Sequence, residues 1–139
     1  MKQIIILVIA MLCLTNIKAE DKKAVNAPEN IKAVFTKEYA NATKVKWEKE
    51  DGKYEVTFFD GEVIMSAVYT SDGMKIETET RIDIAKLPAA AREYAEKKGK
   101  IQDADLIVKR NGIINYEAKV KGKDYIFDQD GKFIKIAKD

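Results

Sequence analysis

The sequence predicts an α+β protein: a tandem repeat of helix plus four-stranded antiparallel sheet units, with the helices packed on one sheet face. Three observations carry this. Apolar residues at i, i+3 and i+4 occur twice, as Ile31, Val34, Phe35 and as Ala91, Tyr94, Ala95; alternating segments follow each set; and Asp-Gly or Asn-Gly pairs divide those segments. With 139 residues, 46% apolar and 35% charged, the chain has the composition of one globular domain.

The elements follow in order. Lys2 precedes an unbroken apolar run, Ile4 to Leu14, and Ala19 closes a short polar stretch before strongly charged sequence begins. Crossing a bilayer takes about 20 apolar residues, so residues 1–19 read as a secretory signal peptide cleaved after Ala19, with no stable membrane span left afterwards. Leu12 is too bulky to favour lipid attachment at Cys13. Residues 20–27 are polar without a period and read as a flexible arm. Residues 28–139 read as a single domain made of two repeats, 28–83 and 84–139.

Pro28 suits a first helical turn, and Asn41 is placed to stop that helix. Val45 and Trp47 then share a strand face, Asp51-Gly52 signals a hairpin, and Tyr54, Val56 and Phe58 alternate with Glu55 and Thr57. Asp60-Gly61 and Ser71-Asp72-Gly73 bracket a third strand, after which Ile76, Thr78 and Thr80 alternate with Glu77, Glu79 and Arg81. From Leu87-Pro88 the order recurs at an offset of about 60 residues. Asn111-Gly112 corresponds to Asp51-Gly52, Tyr116-Glu117-Ala118 to Tyr54-Glu55-Val56, and Asp130-Gly131 to Asp72-Gly73.

The run Tyr39 to Glu48 with Asp51-Gly52-Lys53-Tyr54-Glu55-Val56, and in the second half Leu87 to Ala91, Asn115 to Ala118 and Asp128 to Lys132, resembles the PepSY-like, β-lactamase-inhibitor-like exported proteins of Bacteroidetes. Ala40 departs from the family's frequent proline, and Lys98-Gly99 from its Tyr-Pro pair. The resemblance implies helix-and-sheet units in the periplasm or outside the cell, with no established activity or cofactor. Inhibition itself would be transferred only by analogy of fold.

Residue chemistry narrows the function further. The chain has no histidine, which removes the commonest general base and metal ligand. Ser66 and Ser71 therefore lack a triad partner. Asp51, Asp60, Asp72 and Asp130 all precede glycine and read as turn residues. Around Gly131 a calcium loop would need acidic ligands where Ile126 and Ala137 stand. Asp103 and Asp105 read as a loop entering a strand. No catalytic residue, metal ligand or cofactor is expected, and the protein is not expected to be an enzyme. Cleavage removes Lys2, Lys18 and the sole cysteine, leaving acidic and basic residues equal at 23 each, with lysines scattered among glutamates. Nucleic acid is not an expected partner.

The expected function is a non-catalytic, periplasmic or secreted binding or inhibitory module for a protein or peptide of the cell envelope. The alternative is a small-ligand carrier for lipid, peptide or glycan. Placing Trp47, Tyr54, Val56, Phe58, Ile76, Ile107, Tyr116 and Ile134 under the helices sends Phe59, Ile64, Val68, Leu106, Val108, Ile126 and Phe133 to the other face. These seven are the expected contact residues for a partner, or for a second copy of the protein.

Overall fold

In the computed structural model, which describes residues 23–137, nine antiparallel strands form one sheet in sequence order. They are β1 (Lys23–Ala24), β2 (Thr43–Glu50), β3 (Lys53–Asp60), β4 (Val63–Tyr69), β5 (Lys75–Ile82), β6 (Ile101–Lys109), β7 (Ile114–Val120), β8 (Lys123–Asp128) and β9 (Phe133–Ile136). Helix α1 (Glu29–Glu38) precedes β2, and a short 3-10 turn (Ile84–Lys86) with helix α2 (Ala89–Glu96) joins β5 to β6. The expected signal peptide lies outside the described residues.

The expected tandem of helix-plus-four-strand units is not what forms. Pairing runs straight through the supposed boundary, from Glu77↔Lys109 to Ile82↔Ala104, so β5 and β6 join everything into one sheet. The physical reason is the edge. A sheet ending at β5 would expose a row of unpaired backbone donors and acceptors along a full-length strand, and β6 satisfies them. The supposed flexible arm supplies a further strand: Lys23 and Ala24 pair with Lys49 and Glu48, and Val25 N donates to Trp47 O at 3.1 Å.

The register shows that both helices cover the same face. Ile31 and Phe35 of α1 are buried over Val56, Phe58, Ala67 and Tyr69. Ala91 and Ala95 of α2 are buried over Ala104, Ala118, Val120, Tyr125 and Phe127. Ala67 faces Thr78, and Ile82, on the same side of β5, faces Ala104. Rings close the first cluster, with Phe35 edge-on to Phe58 at 5.0 Å and to Trp47 at 5.5 Å. Each such pair adds about 0.5–1.5 kcal/mol beyond area burial. Over the second cluster the helix's fully buried residues are Ala91 and Ala95, which let its backbone sit close to the sheet, while its half-buried Tyr94 stacks on Phe133 at 4.9 Å.

Candidate functional site

The opposite face of the sheet has no helix over it among the described residues. One side of successive strands encloses a cavity of about 500 Å³ there, so the sheet curls with this face inside. Thr57 and Glu55 enter it from β3, Ser66, Val68 and Ile64 from β4, Glu77, Glu79 and Arg81 from β5, Asp103 and Asp105 from β6, Glu117 and Lys119 from β7, and Asp124 from β8. Glu50 and Ala137 stand at its two ends. Strand alternation explains the composition: each polar residue lies one step from a residue under the helices, as Glu79 does between Thr78 and Thr80.

Eight carboxylates, those of Glu50, Glu55, Glu77, Glu79, Asp103, Asp105, Glu117 and Asp124, line this trough against two cations, Arg81 and Lys119. Both cations are engaged. Arg81 Nη1 donates to Asp103 Oδ1 at 2.5 Å and its Nε to Asp105 Oδ1 at 2.9 Å. Lys119 Nζ lies 3.4 Å from Asp124 Oδ1 without hydrogen-bond geometry, and that buried oxygen has no hydrogen-bond partner. Among the described residues no cation forms a salt bridge with Glu79 or Glu117. Glu79 accepts from Ser66 Oγ at 3.4 Å.

Burial, reinforced by Glu55, Glu77 and Asp105 and only partly offset by Ser66, pushes the Glu79 carboxyl up to about 7. Burial also dominates at Glu117, where Glu79, Asp124 and Asp105 add to it against the opposing effect of Lys119; this carboxyl is pushed up to about 8. Low dielectric and like charge both disfavour the ionised form. Both carboxyls therefore hold their protons to higher pH than exposed ones do.

Of the seven expected contact residues, Phe59, Ile64, Val68 and Ile126 do lie on this face. Leu106, Val108 and Phe133 do not. Thr80 faces Leu106 and Thr78 faces Val108, which puts both on the helix side of the sheet, where Val108 is 38% exposed, and Phe133 faces Phe127 and stacks on Tyr94. Ile107, expected beneath the helices, instead faces Glu79 and is 4% exposed. The physical cause on β6 is three consecutive apolar residues, which fit either face, together with a register shift between Ile101 and Asp103. Another shift between Ile126 and Phe127 sets β9.

Asp103 and Asp105 belong to β6 itself and hold Arg81; they are not a loop. Sequence reasoning missed Glu77, Glu79 and Asp124 as members of a site. The available signal was that Glu55, Glu77, Glu79, Asp105 and Glu117 all alternate with helix-side positions in strands that pair. Among the described residues no group of three acidic, histidine or cysteine side chains is placed to hold a metal ion, and no helix is long and apolar enough to cross a membrane.

Sheet, helices and trough define a class: a long antiparallel meander with helices on one face and an open, carboxylate-lined hollow on the other. Solved structures share its fold. A protein of Bacteroides eggerthii named as periplasmic aligns over 81% of this chain and 89% of its own, with a TM-score of 0.67 and 17% identity. A DUF2874 family protein of Bacteroides ovatus covers 81% and 88%, with a TM-score of 0.61 and 18% identity. A BLIP-like protein of Bacteroides fragilis covers 81% and 86%, with a TM-score of 0.58 and 20% identity. No family profile and no curated protein matches the sequence.

Proposed function

We propose that this chain is a non-catalytic, exported PepSY-like binding or inhibitory module that recognises a protein or peptide through the sheet face opposite its helices. The observation that carries the reading is the trough: a concave face spanning β3 to β8 with charged groups already buried and no element of the described chain over them. The BLIP-like name of the Bacteroides fragilis neighbour, and the periplasmic name of the Bacteroides eggerthii one, accord with an exported module of this kind. Small-molecule pockets are lined mainly by apolar side chains, and this one is lined by carboxylates, which favours a macromolecular partner over a small-ligand carrier.

Site-specific photocrosslinking in the native cell envelope tests the reading. A photoreactive residue at Thr57 or Lys119, both on the trough, is expected to give a discrete adduct, whereas one at Val34, 41% exposed on the outer side of α1, is expected to give none. Adducts formed from Val34 alone, or equally from all three positions, would remove this face as the binding surface.

A further inference from the structure

We infer that the trough takes an extended, arginine- or lysine-bearing segment of its partner, and that protons leave the trough as the cations enter. This rests on the binding reading above and names the chemistry of the occupant. Both resident cations already face carboxylates of their own, and Lys109 lies 3.9 Å from Glu77. Glu79 and Glu117, on either side of β6, form no salt bridge among the described residues and are open to a cation from outside. In register, Arg81 faces Asp105 and Asp105 faces Glu117, while Glu79 sits two residues from Arg81 on the same face.

The spacing suits a peptide. An extended chain turns every second side chain to one side, a repeat of about 7 Å, which is also the repeat of Glu77 and Glu79 along β5. A chain laid along β5 would set two basic side chains, two residues apart, over Glu77 and Glu79. Nucleic acid and anionic lipid are repelled by the same charge, and the carboxylates do not converge as a metal site requires.

The proton linkage follows from what faces the two acids. Around Glu79 stand Glu55 of β3, Ser66 of β4, Glu77 of its own strand and Asp105 of β6; around Glu117 stand Glu79 and Arg81 of β5, Asp105 of β6, Asp124 of β8 and Lys119 of its own strand. Arg81 and Lys119 are held by Asp103, Asp105 and Asp124, and every other neighbour but Ser66 is acidic. A guanidinium or ammonium placed among them favours the ionised forms, so binding releases protons near neutrality and strengthens as pH rises.

Titration calorimetry on the mature chain tests this with a blocked hexapeptide of alternating alanine and arginine, its citrulline counterpart and its glutamate counterpart. Measurements at pH 6 and 8.5, in buffers of different ionisation enthalpy, count released protons. The arginine peptide is expected to bind about tenfold or more tightly at pH 8.5 than at pH 6, and the other two not to bind. Combined Glu79→Gln and Glu117→Gln should remove the pH dependence and the proton release; Glu62→Gln, outside the trough, should change neither. A melting curve for each variant checks folding.

Equal binding of the citrulline peptide, pH-independent binding, or no binding of the arginine peptide would each overturn the inference. If crosslinks from Thr57 and Lys119 persist in those cases, the binding face stands and only the cationic occupant falls. If they are absent, both fall.

Discussion

Arg81 Nε donates to Asp105 Oδ1 at 2.9 Å, and the aspartate side chain it holds is only 12% exposed. A carboxylate buried in the middle of a sheet is tolerable because that guanidinium reaches it from the next strand. Arg81→Met should therefore cost about 2–4 kcal/mol, mainly from the charge left behind rather than from the lost attraction. Adding Asp105→Asn should recover part of the loss. Urea denaturation of both variants measures this, and an unchanged midpoint for Arg81→Met would show that water reaches Asp105 as well as arginine does.

Stability should fall as pH rises from 5 to 8. The carboxyl of Glu79 releases its proton near 7 in the folded chain but at about 4.3 when unfolded. Across that window the unfolded state carries fewer protons, so rising pH favours unfolding, by about 3 kcal/mol for Glu79 once both states are ionised. Glu117 acts in the same sense over a window reaching about 8. Glu79→Gln should be more stable than the parent at pH 8 and nearly equal to it at pH 5. Thermal melts at the two pH values decide; equal shifts at both would contradict the proton linkage.

Tyr69 is fully buried against Trp47, at 6.0 Å between rings, and its Oη has no hydrogen-bond partner among the described residues. Burial, with Glu38 and Tyr39 nearby, holds its hydroxyl far above the usual tyrosine range. Tyr69→Phe keeps the packing and removes an unsatisfied polar group, so stability should stay level or rise by about 1 kcal/mol. Tyr69→Ala should lose about 3–5 kcal/mol. A loss above 1 kcal/mol for the phenylalanine variant would reveal a partner for the hydroxyl.

Gly131, between β8 and β9, has φ +85°, and a Cβ there would meet Ala91 N at 2.8 Å and Pro88 Cβ at 2.9 Å. This turn fixes the start of α2 against the sheet. At Gly61, with φ +62°, a Cβ would meet open space. Gly61→Ala should cost about 1 kcal/mol, from backbone conformation alone. Gly131→Ala should cost clearly more, because helix backbone has to move. Equal midpoints for the two variants would mean that α2 is not held by this contact.

Local chemistry made much of this structure legible. Asp51-Gly52 and Asn111-Gly112 announced their hairpins, and the spacing of Ile31 and Phe35 announced α1, because turns and amphipathic faces are decided within a few residues. The pairing of β5 with β6 was not legible, since it joins segments separated by a helix and leaves no local signature. Nor was the face of Leu106, Ile107 and Val108, where three apolar side chains in a row fit either register. The trough was hidden for another reason. Glu79 and Glu117 read as ordinary solvent-facing partners of Thr78 and Ala118, and only the curl of the sheet buries them.

The strand order carries a kinetic consequence. Nearly every pairing joins strands that follow one another across a tight turn, so most loops that must close are short and their entropic cost is small. The exceptions are β1 with β2, whose closure spans residues 25–42 and α1, and β5 with β6, whose closure spans residues 83–100 and α2. A chain emerging amino end first could therefore close one hairpin after another, but would have to wait twice: for α1, before β1 had a partner in β2, and for α2, before the second half had an edge to grow on.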